Sequence, residues 1–131
     1  MNSSDLNKFL LGNLSSKEIE ILIEEEVENY SLLMKKKGSS IALNIYEDQE
    51  IFIDTKQIKR LLEETLSGNL SNIYFAYICD CLTLGERTRF KNKKIVDIIF
   101  DSADPEINGG YKSNEDLKQM LAHLNEGCRT L

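Results

Sequence analysis

Apolar residues recur at intervals of three and four along most of the chain, a spacing that predicts helices. A short helix is expected to be capped by Ser3 or Ser4, carry Leu6, Phe9 and Leu10, and stop at Gly12. The next is longer. Ser15 stands three before Glu18, the spacing of a reciprocal N-terminal cap. Ile19, Leu22, Ile23, Val27, Tyr30, Leu33 and Met34 then form a stripe, with Glu18, Glu20, Glu24, Glu25 and Glu28 mostly on the other side. Lys35, Lys36 and Lys37 follow before Gly38, so acid leads and base trails, as the helix dipole favours.

The period changes over residues 41–53. Ile41, Leu43 and Ile45 alternate with Ala42, Asn44 and Tyr46, and Ile51 and Ile53 resume the alternation after Glu47-Asp48-Gln49-Glu50. This predicts a short β-hairpin, with a helical continuation as the competing reading. A lone hairpin is marginal in water, so it is expected to pack on the helices.

Helical spacing then returns. Asp54 and Gln57 open a helix with Ile58, Leu61, Leu62, Thr65 and Leu66 inward and Gly68 at its end. Ser71 or Asn72 caps a segment, Ile73 to Leu84, that is apolar most of the way round and is expected to lie at the centre. Gly85 to Lys94 reads as a polar, basic connection. Ile95, Val96, Ile98, Ile99 and Phe100 mark a further helix that stops near Ala103, because Pro105 disfavours helix at Asp104. Asn108-Gly109-Gly110 is a turn, and Ser113 with Asp116 opens the last helix, carrying Leu117, Met120, Leu121 and Leu124. The expected fold is mainly α, one domain over residues 1–131, a bundle of five or six helices with the short hairpin near 41–53.

Composition narrows the function. The formal net charge is −6. A nucleic-acid binder needs a basic footprint to displace phosphate counterions, and a peripheral anchor on anionic lipid needs one too. Neither is expected here. The first fourteen residues lack the basic start and apolar core of a secretory signal, and no apolar run approaches the ~20 residues of a membrane span. Three cysteines, two of them spaced Cys79-x-Cys81, do not resemble a disulfide framework and fit a reducing cytoplasm.

Candidate chemistry is sparse. The single histidine, His123, sits on the last helix with no nucleophile motif beside it. Cys79 and Cys81 point about 200° apart on a helix and cannot both face one ion. No glycine-rich loop follows a strand. No enzyme activity, cofactor or metal is therefore expected.

The charges carry more information, because their sign is segregated. Glu47, Asp48, Glu50 and Asp54 occur with no basic residue among them, and so do Asp97, Asp101, Asp104 and Glu106. Arg87, Arg89, Lys91, Lys93 and Lys94 cluster between those segments. Acidic runs usually form a solvated face. The sharper reading is a negative surface that steers and pairs with a basic partner. On charge alone, Glu47, Asp48, Glu50, Asp97, Asp101, Asp104 and Glu106 are the candidate contact residues, with Tyr46 or Tyr111 as an apolar centre.

Two stretches add a resemblance: Leu66-Ser67-Gly68-Asn69-Leu70-Ser71 running into Ile73-Tyr74-Phe75-Ala76-Tyr77-Ile78-Cys79-Asp80-Cys81-Leu82, and Ala103-Asp104-Pro105-Glu106-Ile107-Asn108-Gly109. Over roughly residues 41 to 121 the chain resembles small bacterial immunity proteins that neutralise polymorphic toxins, including those of contact-dependent growth inhibition systems. It departs from them after the second turn, where Gly109-Gly110-Tyr111-Lys112-Ser113 replaces a Gly-Pro followed by an apolar–threonine pair. The resemblance implies a cytoplasmic protein that binds a cognate toxin domain, often a nuclease, one to one and blocks it by occlusion. Two rival readings stand beside it: a regulatory adaptor or antitoxin-like binding module, and a small enzyme or metal protein.

Overall fold

The computed structural model describes residues 1–34, 45–103, 105 and 110–129, apart from the side chains of 33, 34 and 126–129. Six helices and two short strands occur among them: α1 (Ser3–Leu10), α2 (Ser16–Met34), β1 (Ile51–Ile53), α3 (Thr55–Leu66), α4 (Asn72–Leu84), β2 (Thr88–Phe90), α5 (Lys93–Ser102) and α6 (Asn114–Arg129). The chain is mainly helical, as its periodicity predicts.

The cap pairs form where the spacing places them. Ser15 Oγ accepts the Glu18 N–H at 3.1 Å, and Glu18 Oε1 accepts the Ser15 N–H at 3.1 Å. Asp54 and Gln57 make the same reciprocal box at α3. Ser113 and Asp116 make it at α6, at 3.0 and 3.2 Å. Each box satisfies N–H groups that the first helical turn cannot pair internally. At α5 the cap is Asn92, whose Oδ1 accepts the Ile95 N–H at 3.1 Å.

Helix α4 is the centre. Every residue from Phe75 to Leu82 is buried, including Asp80. It packs against α2, α3 and α5, while α3 packs on α6 and α1 bridges α2 and α3. A buried carboxylate is costly without a donor. The Tyr30 hydroxyl of α2 donates to Asp80 Oδ2, and the Tyr30 ring meets Tyr77 edge-on at 5.2 Å. The Tyr77 hydroxyl donates in turn to Glu26 of α2. α2 and α4 are thus joined by two hydroxyl–carboxylate bonds as well as by apolar packing.

Three expectations change. The strand expected at Ile51–Ile53 is present, with Ile51 and Ile53 buried and Phe52 outward. Its partner among the described residues is β2, in parallel register, with Ile51 opposite Thr88 and Ile53 opposite Phe90. Parallel strands need a long crossover, and α3 with α4 supplies it. The first arm of the expected hairpin, 41–44, lies outside the described residues, and Tyr46 instead forms an isolated parallel bridge with Asn2. Next, the segment read as a basic connection contains β2, where Thr88 is buried and Arg89 exposed. Finally, Leu22, assigned to the inner stripe of α2, is 53% exposed. The inner stripe runs through Ile19, Ile23, Val27 and Tyr30, which leaves Leu22 about 100° off it.

Candidate partner-binding surface

The seven acidic residues selected from charge fall into different environments. Glu47 is half-buried and built into the fold. Its carboxylate accepts the backbone N–H of Glu86 at 2.9 Å and of Arg87 at 2.6 Å, while Arg87 Nη1 donates to the Glu47 carbonyl at 3.0 Å. These bonds hold the turn that leads into β2.

Asp48 is engaged too, although it is exposed. It accepts the Ser4 N–H at 2.9 Å, the Ser4 hydroxyl and the Ser3 hydroxyl. Asp48 therefore supplies the cap for α1 from forty-four residues away, and Asn2, at the N-cap position, makes no side-chain cap bond. The Ser4 hydroxyl and N–H hold the Asp48 carboxyl down to a pKa of about 2. Glu50 is exposed and makes no side-chain bond to the described residues.

The second group behaves differently. Asp97 and Asp101 stand one turn apart on the exposed side of α5 and edge a groove of about 410 Å³ between α5 and α6. Ile98, Lys112, Asp116, Gln119, Met120 and His123 complete its lining. Asp116 is committed to Ser113, whose N–H and hydroxyl lower its pKa. Lys94 Nζ donates to the His123 carbonyl at 3.1 Å and ties the two helices together. Asp97 and Asp101 make no ion pair or hydrogen bond with the described residues. Asp104 and Glu106 lie outside the described residues.

Both tyrosines named as an apolar centre are open, Tyr46 at 68% and Tyr111 at 44% exposure. They stand on different parts of the fold: Tyr46 bridges to Asn2 beside α1, and Tyr111 precedes α6.

A further acidic surface lies on α2. Glu20, Glu24 and Glu28, spaced i, i+4, i+8, line the edge of α4 at Tyr74. Burial raises the Tyr74 pKa, and the three carboxylates raise it further. The glutamate spacing was visible in the sequence. Ile21, Leu22 and Leu32 stand exposed among those glutamates, and of the three only Leu22 had been assigned to the inner stripe.

The cysteines are structural in their surroundings. Cys79 and Cys81 are buried free thiols. Burial pushes the Cys79 pKa well up and that of Cys81 to about 12, so neither is a thiolate near neutrality. Among the described residues, no helix is long and apolar enough to cross a membrane.

No family model, curated protein or solved structure matches the chain.

Proposed function

We propose that the protein is an immunity protein: it binds a cognate bacterial toxin domain, of nuclease type, in the cytoplasm of the producing cell and blocks it by occlusion. The observation that carries this reading is the pair Asp97 and Asp101, two exposed carboxylates at the edge of a groove with no partner among the described residues. The fold has used Glu47, Asp48 and Asp116 for its own caps and turns but has left this pair open. A nuclease channel is basic because its substrate is a polyanion. Two open carboxylates with a half-buried Met120 beside them suit an arginine or lysine on such a surface, with the methionine against its alkyl stem. Charge complementarity of this kind raises the association rate and disfavours wrong partners. The resemblance of residues 41 to 121 to immunity proteins supports the same reading.

The test is growth rescue. The C-terminal domain encoded by the reading frame directly upstream is induced with and without this protein. Toxicity that the protein relieves, with the two co-purifying one to one, supports the proposal. A domain that is harmless, or that kills equally in both cases, contradicts it.

A further inference from the structure

The outer face of α2 carries exposed apolar residues and exposed carboxylates side by side. On this 19-residue helix the inner stripe is Ile19, Ile23, Val27 and Tyr30. At 100° per residue, Ile21 and Leu32 fall about 180° from that stripe and within about 20° of each other. The positions most remote from the core are ordinarily the most polar on a surface helix. Here they hold an isoleucine 63% exposed and a leucine 60% exposed. The two are about 16 Å apart along the axis at 1.5 Å per residue.

Between and beside them stand Glu24, Glu25 and Glu28, all exposed, none bonded to a described residue. Lys17 is the only basic residue in the helix. Single exposed apolar residues are ordinary. What distinguishes this ridge is two apolar knobs bracketing unpaired carboxylates along one line.

We infer that the outward ridge of α2, Ile21–Glu25–Glu28–Leu32, is a docking surface for a basic protein partner whose lysines or arginines lie between two apolar hollows. The inference rests on the reading above and gives the partner a second surface beyond the α5–α6 groove. Charge selects the occupant. A second copy docked through the same face would set glutamate against glutamate, and like charges in close contact are costly. An anionic membrane is repelled for the same reason. A basic surface gains from both features, with carboxylates steering the encounter and Ile21 and Leu32 supplying the apolar burial that slows release.

The test uses the full chain and the upstream-encoded toxin domain, made catalytically inactive, as the probe. Ile21→Ser with Leu32→Ser is compared with wild type and with Asp97→Lys plus Asp101→Lys, by association and dissociation kinetics. Because both α2 side chains are more than half exposed, the thermal midpoint is expected to stay within a degree or two. The dissociation rate is expected to rise about tenfold. Glu25→Lys with Glu28→Lys is expected to slow association in a salt-dependent way. A photo-crosslinking residue at position 21 or 32 is expected to capture the toxin domain. Wild-type kinetics in both α2 variants, with loss only in the Asp97/Asp101 variant, would overturn the inference and leave the immunity reading intact. Crosslinking of positions 21 and 32 to a second copy would also overturn it. No binding of the wild-type chain would overturn both.

Discussion

Glu47 and Arg87 clasp each other's backbone: the Glu47 carboxylate accepts the Arg87 N–H at 2.6 Å, and the Arg87 guanidinium donates to the Glu47 carbonyl at 3.0 Å. The two residues are forty apart in sequence and fix the approach to both strands. An acidic residue that would serve a contact surface equally well on charge grounds is here a structural clasp. Glu47→Ala removes two hydrogen bonds and is expected to cost about 1–3 kcal/mol, and to leave partner association unchanged. A urea titration and an association-rate measurement on the same variant check the two halves separately.

Asp48 yields a pH prediction with a definite sign. Its pKa falls from an ordinary 3.8 to about 2 in the folded chain. A depressed carboxyl contributes stability that is present above its unfolded value and lost as pH falls through its folded value. Asp48→Asn is therefore expected to weaken the protein at pH 5 and above, and the gap to wild type is expected to close between pH 4 and pH 2. Urea midpoints at several pH values over that window show it. A gap that stays constant down to pH 2 contradicts the capping role.

The centre of the bundle gives the largest expected effects. Ile78 and Leu82 are both fully buried in α4. Truncating either to alanine is expected to cost ~2–5 kcal/mol, from lost burial and the cavity left behind. Tyr30→Phe keeps the ring but removes a donor to buried Asp80, and about 1–3 kcal/mol is expected. Calorimetric or chemical unfolding of the three variants checks the ranking. A mild effect in Leu82→Ala removes α4 from the centre.

Thiol chemistry offers an independent check of the same burial. In a Cys128→Ser background, the native protein is expected to show no reaction at Cys79 or Cys81 with a water-soluble thiol reagent at neutral pH. Both are expected to react on unfolding in urea. Rapid labelling of the folded chain contradicts the placement of α4.

What the sequence revealed and what it concealed divide by range. The boxes at Ser15–Glu18, Asp54–Gln57 and Ser113–Asp116 span three residues each, so spacing alone finds them. Gly12 and Gly68 adopt φ of 89° and 87° at helix ends, as expected of residues that stop a helix in the left-handed conformation. The all-round apolarity of α4 placed it correctly at the core. The parallel pairing of Ile51–Ile53 with Thr88–Phe90 was hidden, because arginines and lysines flank β2 and only three residues carry its alternation. The bonds that Asp48 and Glu47 make within the fold were hidden for the same reason: their partners lie about forty residues away. Asp97 and Asp101 were selected from charge alone, and α5 places them together at one groove. Leu22 of α2 was misplaced because it lies at the margin of the apolar stripe, where spacing alone does not set how far the buried face extends.

Inhibition of a basic toxin domain is read by titrating that domain's activity. The purified upstream-encoded domain is held at a fixed concentration, with its nuclease activity followed as this protein is added. Activity is expected to fall to zero at one equivalent. Reversing Asp97 and Asp101 to lysine is expected to slow the onset of inhibition, most strongly at low salt. Activity that persists at a large molar excess of the protein contradicts the account.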